Sequence, residues 1–402
     1  MMRKKYSISF GLGFCLLGLI PALPLYGQSI EPVAEEPSDS IEIVHTFLHE
    51  HAVEYSVEPA VSSVQESLKK AITDESDAIT DHPLSTTQDT AASAAGAPVV
   101  PADTLARDKD YPRYTLEEYR YAEAPRYTIL GDLPYRQTHL RPIPAVLTGM
   151  VVAGVVTGIH LYQTNAWWSD QERSFHLDVD WGYAAQVDKV GHFYAGYLAS
   201  YVGYEAFIAS GFSPGVAGWF GPIFGLSYQT YVEIEDGFSQ FGFDLTDQVA
   251  NTLGPLFFGL QHYIPALQNA KFKWSFWPND EYEEGLRDGH SKIIIDDYNG
   301  QTVWFSLKMG NILPESLGWP KWLRLAGGYG TYNVDRFDEQ NVLLQPQQRF
   351  FVALDYDLVE LMPDLGKFGN WIVQTADYLR FPAPALQLEP ELKFYLVWPV
   401  VF

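Results

Sequence analysis

The sequence predicts an α+β protein: a compact four-helix domain with a polar core cluster, followed by a small antiparallel β-region ending in a long amphipathic C-terminal strand. Three observations lead there. The long apolar windows are confined to the stretch from Ile143 to Ala270. After Phe272 the apolar period changes from helical to alternating. Charged and amide residues recur inside the helical windows at spacings that place them on shared faces.

The N-terminus opens with basic Met1-Met2-Arg3-Lys4-Lys5, continues with an apolar run from Phe10 to Leu23, and turns polar at Gly27-Gln28. That order predicts a secretory signal peptide over 1–27 with Gly27 at the cleavage position, an uncleaved anchor being the alternative. The only cysteine, Cys15, lies inside the apolar run after Phe14. It reads as part of the signal, not as a lipidation site, so the mature chain has no disulfide and no thiolate ligand. Residues 28–110 are rich in Ser, Thr, Ala, Pro, Asp and Glu, with one weak helical pattern from Ile41 to Lys70, and predict a mostly disordered acidic arm. The Tyr- and Arg-rich segment from Tyr111 to Arg141 predicts an irregular ordered wrap leading into a helical domain over 111–270.

Within it, helices are expected at about Ala145 to Trp167, Val187 to Ala209, Pro214 to Glu235 and Leu245 to Ala266. The first and third are long and apolar enough to cross a bilayer. The second and fourth carry Asp188, Lys189, His192 and Glu205, or Asp247, Gln248, Asn251 and His262, so they either form a water-exposed bundle or bury polar faces in a membrane bundle. Gly149, Gly154, Gly158, Gly191 and Gly196 predict close backbone approach. In the β-rich region, 271–402, Val303, Phe305, Leu307 and Met309 share one strand face, and Phe350, Val352, Leu354, Tyr356 and Leu358 another. Leu386, Leu388, Leu392, Phe394, Leu396, Trp398, Val400 and Phe402 all fall on even positions, interrupted only by Pro390, which predicts one long half-buried strand. Such a strand resembles the end of an outer-membrane barrel, but a single-chain barrel needs about eight strands. The simpler expectation is a small sheet with its apolar face on the helices.

Lys and Arg number 26 against 50 Asp and Glu, a formal net charge of -24, which excludes nucleic acid as a partner. Aromatic residues make up 15%, a content suited to half-wet boundaries such as membrane interfaces.

Three polar clusters stand at predicted helix ends: Asp188-Lys189-Val190-Gly191-His192-Phe193, Glu233-Ile234-Glu235-Asp236-Gly237, and Asp244 through Gly254. Helical spacing pairs Asp188 with His192, Glu233 with Asp236, and Asp247 with Asn251, so three polar faces are expected to converge. One reading is an internally satisfied network of Asp188, Lys189, His192, Glu233, Asp236, Asp247 and Asn251 that fixes helix register. A second is a divalent-metal or catalytic site with His192, Glu233, Asp236 and Asp247 as ligands or acid-base groups. A polar pocket for a lipid or glycan is a third. Asp244 reads first as a helix N-cap. His160 and His262 stand alone in apolar helices and read as packed histidines. Gly327-Gly328-Tyr329-Gly330 lacks the helix and Lys-Ser/Thr of a phosphate loop, and neither a Gly-x-Ser-x-Gly elbow nor a His-Glu-x-x-His helix occurs.

The order D-K-x-x-H-F, E-x-x-D, D-x-x-x-N-x-x-G, carried by Asp188, Lys189, His192, Phe193, Glu233, Asp236, Asp247, Asn251 and Gly254, resembles the YfiM-like envelope proteins, predicted periplasmic lipoproteins of unknown function. More distantly it is similar to VanZ-like membrane proteins. The resemblance spans Asp188 to Gly254 and implies an envelope location without implying an activity. The expectation is therefore an exported protein of the periplasm or outer membrane, with the inner membrane as the alternative. Its expected role is structural or docking, toward envelope membrane or envelope proteins. The competing expectation is a metal-dependent hydrolase-type enzyme acting on lipid or cell-wall material.

Overall fold

The computed structural model of the chain describes residues 111–168, 173–278, 294–295, 297–338 and 340–399. The expected signal peptide, the acidic arm with its pattern from Ile41 to Lys70, and terminal Phe402 lie outside the described residues. The fold mixes helix and sheet, with seven helices among the described residues, a central helical region and a six-stranded antiparallel sheet toward the C-terminus.

Helix α1 spans Pro142–Gln163, with proline at its first turn where a missing N–H costs nothing. A π-turn, Thr164–Trp168, extends it. Helix α2, Val187–Ala209, follows a tight turn in which Ala184, Ala185 and Gln186 all take positive φ. Helix α3, Pro214–Gly237, again begins on proline, and α4, Leu245–Tyr263, is capped by Asp244, whose carboxylate accepts the Thr246 amide at 2.6 Å. These bounds follow the apolar windows closely.

Helices α2, α3 and α4 meet backbone to backbone. A Cβ on Gly254 of α4 would stand 2.1 Å from the Phe193 carbonyl oxygen of α2, and one on Gly225 of α3 would stand 2.6 Å from the Gly196 carbonyl oxygen. Of the small residues expected to close-pack, Gly196 does so, against Pro255. Gly149, Gly154 and Gly158 face open space, because α1 buries only Val152 and Gln163, and Gly191 on α2 faces open space as well.

Strands β1, Ala270–Phe276, β2, Gln301–Leu307, β3, Leu323–Tyr332, β4, Gln347–Tyr356, β5, Ala383–Glu389, and β6, Lys393–Trp398, form a simple meander, each paired with its sequence neighbour. Short helices α5, Met309–Ile312, and α6, Leu358–Leu361, lie between strands, and α7, Gly366–Ala376, precedes β5. Helix α7 packs on α2: Trp371 Nε1 donates to Glu205 Oε2 at 3.0 Å, and Tyr201 and Thr375 share a 2.7 Å hydrogen bond. The segment after α7 then covers the free edge of β1, the Trp274 amide donating to the Tyr378 carbonyl and the Arg380 amide to that of Trp274.

Two features differ from expectation. The terminal alternating run does not continue as one strand. It folds back after Pro390 so that Phe394 pairs with Leu386 and Lys393 with Gln387, because proline cannot donate to a ladder and breaks the run where the chain reverses. The apolar face of the sheet also meets the helices only at one side, where Phe272 packs on Phe193 and Phe257, and Val303 joins the tyrosine core of α2. Elsewhere that apolar face points outward, and the buried opposite face combines an aromatic patch, Trp304, Phe351 and Trp398, with ion pairs. Lys273 reaches Asp377 at 2.8 Å and Asp355 at 3.0 Å, Lys271 reaches Asp377 at 2.6 Å, and Arg324 reaches Asp357 at 2.6 Å. Pairing of this kind is what makes burial of the ions tolerable.

Candidate functional site

The N-terminus of α2, the C-terminus of α3 and the N-terminus of α4 present their polar residues to one another. Lys189 Nζ lies 3.1 Å from Asp188 Oδ2, 3.1 Å from Asp244 Oδ2 and 3.0 Å from Asp247 Oδ2, so one ammonium is shared by three carboxylates. Beside it, the His192 ring joins two halves of the cluster. Its Nδ1 is 3.1 Å from Asn251 Oδ1 and 3.3 Å from Glu233 Oε1. Its Nε2 is 3.7 Å from Asp188 Oδ1 and 3.9 Å from Asp247 Oδ2.

The surrounding amides fix this arrangement. Asn251 Nδ2 donates to Glu233 Oε1 at 3.1 Å, and Gln229 Nε2 donates to Asn251 Oδ1 at 3.0 Å, which leaves Asn251 Oδ1 as an acceptor toward His192. With Nδ1 serving as the donor, Nε2 faces the two carboxylates of Asp188 and Asp247. The remaining oxygen of Glu233, Oε2, accepts the Asp244 amide at 3.3 Å. Tyr298, from the β-region, donates to Asp188 Oδ1 at 2.7 Å. Asp236 lies at the rim and takes the Trp168 indole N–H at 2.8 Å. All seven residues singled out from the sequence therefore stand on the facing ends of three helices. Six join one bonded network, and Asp236 acts on it through space.

Electrostatics follow from the surplus of acids. Burial pushes the Glu233 carboxyl up to about 7, with His192 pulling the other way and Asp247 and Asp236 adding to the rise. Burial likewise raises Asp236 and Asp247 to about 6 each. Asp188 is held below the usual carboxylate range, its burial outweighed by His192, Lys189 and the Tyr298 hydroxyl. Asp244 is held at about 2, its burial outweighed by its bonds to Thr246, the Asp180 amide and Lys189. His192 is raised: burial disfavours the imidazolium, but Asp188, Asp247 and Glu233 favour it more.

Asp188, His192 and Asp247 each offer an atom within 4.8 Å of the others, a set that can hold a divalent ion after a small contraction. Glu233 and Asp236, expected beside His192 and Asp247 as ligands, are engaged otherwise: Glu233 faces Nδ1, on the far side of the ring from that set, and Asp236 is bonded to Trp168. Lys189 competes for Asp247 Oδ2, the oxygen that also faces His192 Nε2. The Asp247 Oδ1 atom is buried without a hydrogen-bond partner.

Gln229, Tyr298 and Trp168 are missed by the sequence reading. Gln229 lies one turn before Glu233 on α3, a signal readable in principle, whereas Tyr298 and Trp168 arrive from segments with no local polar period. Asp244 is the N-cap expected, and in addition a partner of Lys189. His160 packs between α1 and α3 against Tyr231, and His262 lies against Gly218.

The fold and site define a mixed helix and sheet protein with a charged cluster closed between three helix ends. Residues 180–262 match the model of a family described as predicted periplasmic lipoprotein, a domain of unknown function (DUF2279), a stretch that includes every residue of the cluster contributed by α2, α3 and α4. No curated protein and no solved structure matches the chain.

Proposed function

We propose that this chain is an exported cell-envelope protein with a structural or docking role at a membrane surface. The observation that carries the reading is α1. It has 22 residues, about 33 Å at 1.5 Å per residue, enough to cross the hydrocarbon of a bilayer. Its apolar side chains are bare: Ile143, Val146, Leu147, Met150, Val151 and Leu161 are all largely exposed. The outer faces of α3 and α4 add Trp219, Ile223, Leu253, Leu256 and Leu260. Water tolerates single exposed apolar residues but not surfaces of this extent. The envelope location is supported by the basic-then-apolar N-terminus and by the description of the family matched over residues 180–262. The YfiM-like likeness points the same way, and the motif shared with VanZ-like proteins is consistent with a site beside a membrane. The periplasmic face of the outer membrane is the favoured position. The inner membrane is the alternative, for which α1 speaks.

Fractionation of native cells tests the proposal. Recovery with membranes through carbonate and urea washes, in the outer-membrane band of a density gradient, is the expected result. Recovery in the soluble fraction refutes the membrane role.

The second reading, a metal-dependent hydrolase-type enzyme acting on lipid or cell-wall material, is favoured by the Asp188, His192 and Asp247 group. Near-stoichiometric divalent metal in purified protein, lost in His192→Ala, is its test.

A further inference from the structure

We propose that the outward face of the six-stranded sheet is a lipid-contacting surface that lies against the acyl chains of a bilayer. The inference deepens the membrane-surface reading and rests on it for the presence of the bilayer, but the observation is a different one, the polarity of the sheet.

Register places Phe305 opposite Gly327, Gly327 opposite Val352, Val352 opposite Leu386, and Leu386 opposite Phe394, a single row crossing five strands. A neighbouring row runs Leu307, Leu325, Leu354. Phe305, Leu325, Phe350, Val352, Phe394 and Leu396 are exposed, Phe394 at 65% and Leu396 at 70%. The alternate residues of the same strands point inward and are buried: an aromatic patch of Trp304, Phe351 and Trp398 beside small Ala326, Ala353 and Ala385, and a polar set, Lys271, Lys273 and Ser275 on β1, Ser306 on β2, Arg324 on β3, Asp355 on β4 and Gln387 on β5.

In water a sheet gains from covering its apolar rows and loses by drawing ions out of solvent, yet here the outward apolar rows are bare and ions are buried beside the aromatic patch of the other face. Against hydrocarbon the sign reverses: apolar residues belong outside, and charges belong on the inner face, where they pair. The pairs of Lys271, Lys273 and Arg324 with Asp355, Asp357 and Asp377 meet that demand.

The dimensions agree. Strands β3 and β4 have 10 residues each, within the span of about 9–11 that a tilted strand needs to cross hydrocarbon. Aromatic residues Trp322 and Tyr356 mark one end of the apolar stretch, as in the girdles of membrane barrels, and at the other end Tyr329 closes it against the turn before α2, its hydroxyl donating to the Ala185 carbonyl. A protein partner fits the face less well, because protein interfaces interleave polar groups with apolar contact at about one hydrogen bond per 100–200 Å², and the two rows carry no polar side chain. The outer edge of β6 has no ladder partner among the described residues. Hydrocarbon does not tolerate such an edge, so in the membrane it must be met by another strand or by water at the headgroups.

The test is spin labelling of the full chain, in a Cys15→Ser background, at Val352→Cys, Phe394→Cys and, as an exposed loop control, Glu315→Cys. The protein is reconstituted into vesicles of phosphatidylethanolamine and phosphatidylglycerol. Collisions with oxygen should exceed those with a polar nickel complex at Val352 and Phe394, and the order should reverse at Glu315. Nickel access at Val352 and Phe394 in protein that stays with the vesicles overturns the inference and leaves the membrane reading standing. Labels at both positions shielded from both reagents also overturn it, in favour of a second copy or another protein on the face. Protein that does not associate with the vesicles removes both readings. In a companion measurement that needs no label, Val352→Lys should lower the yield of folded vesicle-bound protein while Glu315→Lys leaves it unchanged. Equal yields count against the inference.

Discussion

Replacing Glu233 by glutamine should change how stability depends on pH, in a direction that the cluster fixes. Glu233 is 2% exposed, and burial raises its carboxyl from 4.5 in the free residue to about 7. Between those values the folded protein keeps a proton that the unfolded chain has released, so stability falls as pH rises through this window. Below it both states are protonated and the group contributes nothing. Above it the penalty is complete, about 3 kcal/mol at 1.36 kcal/mol per unit, with His192 at 3.3 Å reducing it when charged. His192 acts with the same sign: its folded value is raised, so its contribution is present in acid and lost as pH rises through that value. Asp244 marks the acid limit, since its stabilisation is present above 3.8 and lost as pH falls toward about 2.

Glutamine cannot ionise. Its oxygen can keep the Asn251 bond, while the weaker 3.3 Å bond from the Asp244 amide is lost at a cost of about 1 kcal/mol. Denaturant unfolding of detergent-solubilised protein at about pH 5 and about pH 8 reads the difference. Wild type should be less stable at the higher pH. Glu233→Gln should be less stable than wild type in acid, then recover by up to about 3 kcal/mol relative to it in base, the missing counter-charge on His192 taking back part of that gain. Equal slopes for the two proteins, or a wild type that grows more stable toward pH 8, would refute the assignment of a buried proton to this carboxyl.

Lys189→Met leaves Asp188, Asp244 and Asp247 without their shared cation and should destabilise by about 3–5 kcal/mol, measured by the same unfolding assay. Lys273→Met should cost a similar amount, about 3–5 kcal/mol, because Asp355 and Asp377 lose a partner at 3.0 and 2.8 Å, and a loss under about 1 kcal/mol would show that Lys271 suffices. Gly254→Ala drives a Cβ to 2.1 Å from the Phe193 carbonyl oxygen, so α4 must move off α2, and a loss of at least about 1–3 kcal/mol is expected in thermal denaturation. If the Asp188, His192 and Asp247 set holds a divalent ion, added zinc or manganese should raise the melting temperature of wild type and not of His192→Ala.

The sequence by itself determined the helices and the helix-borne residue pairs of the cluster, because both are local. Apolar windows bounded by Pro142, Pro214 and Asp244 set where α1, α3 and α4 begin, and the spacing of Asp188 with His192 and of Asp247 with Asn251 put those pairs on common faces. Alternation likewise announced strands such as β4. What alternation could not say is which face turns inward, since a period of two is the same whether the apolar set meets a core or a membrane. Only tertiary structure decided that, by bringing Asp377, from the turn after α7, between Lys271 and Lys273, so that the charged side of the sheet became the inside. The terminal hairpin was hidden for a related reason. Leu386 and Phe394 keep the same parity on both sides of Pro390, so a strand that turns back reads like one that continues. In the cluster, Tyr298 and Trp168 come from segments distant in the chain, and it is the close approach of α2, α3 and α4, allowed by Gly196, Gly225 and Gly254, that sets the distances on which any chemistry depends.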